Sequence, residues 1–232
     1  MRFWNFENTG SGIIELRIEG DIVDDDHAWL YEWWGDMHTA PNKFRQQLAE
    51  HEGKELHVIV DTYGGSVFAG TAIAADLKNR SGKTIGIVYS KAMSSGVNIL
   101  MGCDEIWIAP GGVMMIHDPA ISSGGDIAVL EKSLEVLNTL KDAILNMYED
   151  KTGLTRQELS DMMSAETWMS ATDAVDKGFA DKVIETEFDI KNSYSIERMR
   201  FINGANMTLI NRHAELQERS KIKELELYLE TV

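Results

Sequence analysis

The chain has 232 residues, 44% hydrophobic and 26% charged, which is enough apolar material for the core of one α/β domain with a short appendage. A formal net charge of −16 argues against nucleic acid as a partner, because phosphate recognition rests on clustered Lys and Arg. The single cysteine, Cys103, excludes an internal disulfide, and no run is long and apolar enough to span a bilayer.

The opening MRFWNFENTG lacks the apolar core of a signal peptide, so the expected location is the cytoplasm in which the chain is made. Ile13 to Ile18 alternates apolar and polar after its first residue and reads as a strand ending at Glu19-Gly20. Asp24-Asp25-Asp26 reads as an acidic loop with a helix cap, in preference to a metal site. Trp29 and Trp33 share a helical face, expected to pack on the body or on a neighbouring subunit. Pro41 opens a helix through Leu48, with Thr39 as a candidate cap.

Leu56 to Asp61 is almost continuously apolar, as a strand covered on both faces should be. Thr62 to Ser66 forms a turn containing Gly64-Gly65. The helix Val67 to Leu77 is rich in Ala and Gly, which lets it lie close against a sheet. Thr84 to Tyr89 is the next buried strand. This alternation predicts an α/β fold with a mostly parallel sheet and right-handed crossovers.

The segment Ser90 to Pro119 carries the chemistry. Ser94 and Ser95 stand before the apolar run Val97 to Met101. Glu105 to Ile108 is strand-like, Pro110-Gly111-Gly112 turns, and Val113 to Ile116 leads into His117. A serine at the start of a helix and a histidine at the end of a strand are the parts of a serine hydrolase. Imidazole takes the hydroxyl proton near neutral pH, and free N–H groups at a helix N-terminus receive the oxyanion. The glycine pair Gly64-Gly65 lets main chain approach a ligand and offers a second donor. No Lys-Ser or Lys-Thr follows it, which sets aside a phosphate loop. For Cys103 a small buried hydrophobe is preferred to a nucleophile.

Beyond His117, Ser122 to Gly125 is a loop, and Asp126 caps a long helix from Ile127 to about Glu149 with apolar residues at helical spacing. It is a candidate oligomerisation arm. Thr155 to Met163 is a short helix and Glu166 to Met169 is extended. Ser170 caps a helix Ala171 to Lys177, and Phe179 to Ile184 leads out as a strand. Residues 186–232 read as a linker and a charged helical tail.

Four pieces in register, Tyr63 to Val67, Ala92 to Gly96, Met114 to Pro119 and Glu166 to Ala171, resemble the Clp protease proteolytic subunit (ClpP). Phe3-Trp4-Asn5-Phe6 and Trp33-Trp34-Gly35 look more like the related head maturation proteases of tailed phages and prophages. The resemblance spans roughly residues 3 to 185. It implies a protease domain over 1–185 on the ClpP/crotonase fold of repeated β-β-α units, with residues 127–149 as a handle through which rings pair. It makes Ser94 the nucleophile, His117, 23 residues on, the general base, and Glu166 the third member. The N–H groups of Gly65 and Ser95 would form the oxyanion hole, and Gly64, Gly124 and Gly125 would contact substrate. The family more often has aspartate where Glu166 stands, and Ser95 is a rival nucleophile that the spacing disfavours.

The implied function is a serine endopeptidase that trims scaffold or capsid protein in a phage prohead. It would work as a ring of identical subunits in the host cytoplasm or inside the prohead, with neither metal nor cofactor. Two alternatives keep the fold: a crotonase-type acyl-CoA hydratase or isomerase, and an inactive ring-forming scaffold.

Overall fold

The computed structural model describes residues 6–8 and 13–184, all within a compact unit spanning Met1–Thr186. The expected linker and tail over 186–232 lie outside the described residues, as does Phe3-Trp4-Asn5. In chain order the elements are β1 (Phe6–Asn8), β2 (Ile14–Ile22), α1 (Asp25–Trp34), β3 (His38–Thr39), α2 (Pro41–Ala49), β4 (Leu56–Gly65) and α3 (Val67–Asn79). These are followed by β5 (Thr84–Val88), β6 (Lys91–Met93), α4 (Ser95–Leu100), β7 (Glu105–Ile108) and β8 (Val113–Ile116). Then come α5 (Ile127–Thr152), α6 (Arg156–Ser164), β9 (Thr167–Met169), α7 (Ala171–Asp176) and β10 (Lys182–Val183).

The strands run in the order β10-β7-β5-β4-β6-β8-β9, with β2 also on β4 and carrying β1 and β3. Only β1–β2 and β8–β9 are antiparallel among the described residues; every other pair is parallel. Such a sheet needs apolar side chains on both faces, and β5 is buried throughout, as are Leu56, Val58, Ile59 and Val60 of β4.

The strand β4 is longer than its apolar run, because it serves two layers. Its first half pairs with β5 through Leu56 to Ile59, and its second half pairs with β6 at Thr62. The residues read as a turn therefore continue the strand to Gly65. β2 likewise runs past Gly20, with an irregularity between Glu19 and Asp21.

The small residues of α3 meet α4 as well as the sheet: a Cβ on Gly70 would lie 2.9 Å from Ser95 Cβ. Ser66 caps α3, accepting from Ala69 N–H, while Thr155 and Ser170 form capping boxes with Glu158 and Asp173. Thr39 does not cap α2; Ala40 holds the N-cap position there with no side-chain bond. Trp29 and Trp33 are 56% and 49% exposed, so the body covers only part of each ring.

The long helix α5 has two halves. Ile144, Leu145 and Tyr148 are buried in the core, whereas Ile127, Leu130 and Leu134 face outward, Ile127 at 76% exposure. The apolar stripe continues beyond the part of the helix that has a core to cover.

Candidate active site

The strands β4, β6, β8 and β9 are neighbours, and the candidate residues sit where their ends line up. Gly64-Gly65 closes β4, Ser94 follows β6, and His117 follows β8. Glu166 precedes β9, which is antiparallel, so Glu166 arrives at the same edge next to Ile116. Residues up to 102 positions apart are thus delivered to one place by strand pairing alone.

Ser94 occupies a strained turn between β6 and α4, with φ 54° and ψ −125°. Its N–H bonds Met115 O at 2.8 Å, which pins the turn to β8. The turn lifts the side chain out of the strand, and Ser94 Oγ lies 2.9 Å from His117 Nε2. Gly64 makes room for this approach: a Cβ there would meet Ser94 Cβ at 2.7 Å and Oγ at 3.2 Å.

His117 is largely buried. Burial pulls the imidazole below its ordinary value, while the Asp118 main chain and the Glu166 and Asp118 carboxylates oppose this. The neutral, proton-accepting form therefore dominates at pH 7. Nδ1 is buried and makes no hydrogen bond of good geometry among the described residues, although the Asp118 main chain comes near enough to the ring to favour its charged form. If Ser94 donates to Nε2, the ring proton must be on Nδ1, and that buried N–H calls for an acceptor.

Strand pairing brings Glu166 to the end of β8, but its carboxylate makes no hydrogen bond to His117. Its carboxylate acts on the imidazole charge, yet Oε1 accepts from Trp168 Nε1 at 3.3 Å instead. Glu166 itself has φ 49°. One carbonyl organises this corner: Met163 O accepts from Asp118 N–H at 3.2 Å and from Glu166 N–H at 3.1 Å.

Ser95 is the first residue of α4, so no carbonyl of that helix reaches its N–H. Its hydroxyl is buried, points to no partner among the described residues, and is not the oxygen beside His117. Gly65 has φ 146°, and a Cβ there would meet Ile22 O at 2.1 Å, so the position admits only glycine. Gly64 N–H is already used by Thr62 Oγ1 at 2.9 Å. Gly124 and Gly125 lie on the exposed loop between His117 and α5, and a Cβ on Gly124 would meet nothing within 4 Å.

Sequence reasoning missed three supports. Thr62 braces the glycine turn. The Tyr148 hydroxyl donates to Asn98 Oδ1 at 2.7 Å and ties α5 to the helix behind Ser94. Lys141 of α5 lies 2.8 Å from Asp118 Oδ1, next to the histidine. Cys103 is fully buried, with its thiol pushed up to about 12, which makes it an inert filler. No group of His, Cys, Asp and Glu that could hold a metal occurs among the described residues, and no helix there is long and apolar enough to cross a membrane.

The profile of the Clp protease family matches residues 42–187. This chain belongs to the Clp protease family. The proteolytic subunit 1 of the ATP-dependent Clp protease of Chlamydia abortus is 30% identical over 177 residues, covering 72% of this chain and 90% of its own. Its counterpart in Streptomyces avermitilis is 26% identical over 153 residues, 65% of this chain and 70% of the relative. A ClpP1 mutant from Listeria monocytogenes superposes with a TM-score of 0.61 at 20% identity, over 75% of this chain and 92% of that one. The fold is thus ClpP-like, and the family is one of serine proteases.

Proposed function

We propose that the chain is a serine endopeptidase in which Ser94 is the nucleophile and His117 the general base. The carrying observation is the 2.9 Å contact between Ser94 Oγ and His117 Nε2, on a serine held in a strained turn. Nε2 takes the hydroxyl proton as Oγ attacks the peptide carbonyl. The N–H groups of Ser95 and Gly65 receive the oxyanion. His117 then hands its proton to the leaving amine, and water repeats the sequence to release the acid and restore Ser94. Glu166, turned from Trp168 to Nδ1, would hold the ring tautomer.

The test is Ser94→Ala against Ser95→Ala, read on an unfolded casein-like substrate and on fluorophosphonate labelling. Loss of roughly 10³-fold or more in the first variant only is expected. Retained cleavage in Ser94→Ala removes the nucleophile assignment. The crotonase-type reading has no use for the serine–histidine pair, so tight acyl-CoA binding without peptidase activity would redirect the function there. An assembly that cleaves nothing and labels nowhere would point to the inactive scaffold.

The finer reading is a head maturation protease acting on scaffold or capsid protein in the host cytoplasm or the prohead. Its support is the Phe3–Phe6 and Trp33–Gly35 segments. The relatives' names specify ATP dependence for those proteins. Cleavage of unfolded scaffold protein with and without a Clp ATPase and ATP separates the two modes. A ring built through α5 is part of this reading, and its outward Ile127, Leu130 and Leu134 support it.

A further inference from the structure

Two carboxylates flank His117, and only one is otherwise engaged by a cation. Asp118 Oδ1 lies 2.8 Å from Lys141 Nζ, off the directions of a good hydrogen bond, so the contact is chiefly ionic. Asp118 Oδ2 accepts from Ser164 Oγ at 2.9 Å, and Lys141 Nζ also donates to Ser164 Oγ at 2.9 Å. Three elements therefore converge on one side chain: the end of β8, the middle of α5 and the end of α6. Among the described residues the Glu166 carboxylate accepts only the 3.3 Å bond from Trp168 Nε1.

We propose that Lys141 is a positioning residue of the site: it takes the Asp118 carboxylate as its own counter-ion, so that the imidazole of His117 is left to Glu166. This rests on the reading of His117 as the base. The charged groups that act on the ring are Glu166, ahead of β9, and Asp118, the residue after His117. Lys141 reaches it through Asp118, and α4 and α6 bring the hydroxyls of Ser94 and Ser164. Without Lys141, Asp118 becomes a second uncompensated negative charge at the ring. The imidazolium is then favoured, and the base is protonated over part of its working range.

The experiment titrates His117 directly in the full-length assembly, by mass spectrometry of diethyl pyrocarbonate modification against pH. Lys141→Met is expected to raise the midpoint by roughly half a pH unit, as expected for one charge at several ångströms in a partly screened site. Lys141→Arg keeps the wild-type midpoint. Asp118→Asn lowers it, and the double variant Lys141→Met/Asp118→Asn returns close to wild type. Should Lys141→Met fail to fold, Lys141→Gln, which keeps a polar partner for Ser164 and removes the charge, takes its place in the same comparison. A Lys141→Met midpoint that matches wild type overturns the proposal, because a purely structural tie would slow labelling of Ser94 without moving a titration. Absence of fluorophosphonate labelling at Ser94 in wild type strikes the peptidase reading instead, and leaves the midpoint comparison intact.

Discussion

Replacing Gly64 by Ala tests whether the end of β4 sets the position of the nucleophile. Gly64 has φ 104°, and its added Cβ would stand 2.7 Å from Ser94 Cβ, 2.8 Å from Met93 O and 3.2 Å from Ser94 Oγ. Ordinary carbon contacts begin near 3.4 Å, so the pair must separate by about 0.7 Å. Misplacement on that scale costs roughly 10- to 100-fold in rate. The backbone cost of a non-glycine residue at positive φ, about 1–2 kcal/mol, adds to an overpacking cost of about 1–3 kcal/mol. The sum stays below the ~5–15 kcal/mol that holds a domain folded, so activity should fall in a protein that is still native. Gly153→Ala is the control. It has φ 72° and nothing within 4 Å of its Cβ, so it meets the backbone cost alone. Fluorophosphonate labelling rates and thermal melts of both variants decide the matter. Wild-type labelling in Gly64→Ala, or equal slowing in Gly153→Ala, would refute the geometric argument.

The pH dependence follows from the buried imidazole. Its folded-state affinity for protons is lowered, so the acid limb of kcat/KM should lie below the ordinary histidine value of 6.5. Stability carries the same sign: the unfolded chain binds the proton more readily, so this contribution is full above 6.5 and is lost as pH falls towards the folded value. An acid limb at or above pH 7 would contradict the burial. Tyr148→Phe leaves Asn98 Oδ1 buried without its donor and should cost about 1–3 kcal/mol, read as a lower melting temperature. An unchanged melt would show the tie to be idle. Leu130→Glu with Leu134→Glu should release smaller species in sedimentation with little change in protomer melting, because both side chains face outward. A variant that assembles as wild type would mean that α5 does not join subunits.

What could be read from the chain was whatever depends on local pattern. The strands β5, β7 and β8 announce themselves by short apolar runs, and the Ser170 cap by its position before Asp173, whereas Thr155, read as the first residue of its helix, is its cap. Ser94 and His117 were visible because a serine before a helix and a histidine after a strand are positional features. β6 was invisible: three residues, Lys91 to Met93, carry no period, and the strand exists only because β4 and β8 lie on either side of it. The extension of β4 was missed for a similar reason, since a glycine pair inside a strand looks like its end. Trp29 and Trp33 share a helical face that the body covers only in part, which helical spacing alone does not reveal. Lys141 could not be found at all, as its meaning depends on an ion pair with a residue 23 positions away.

Backbone strain offers an argument independent of any motif. Among the described residues outside glycine, only Ser94 and Glu166 have positive φ, at 54° and 49°. Each such residue costs of order 1–3 kcal/mol and persists only where its surroundings over-determine it. Both surroundings are visible: Met115 O holds the Ser94 N–H, and Met163 O holds the Glu166 N–H. Relaxing Ser94 would swing its hydroxyl away from His117 Nε2. Relaxing Glu166 would move its carboxylate with the start of β9, the strand paired to the one that ends at His117. The fold thus bears its two unfavourable non-glycine conformations at the two positions that flank one imidazole. That coincidence supports the proposal that both residues act on His117.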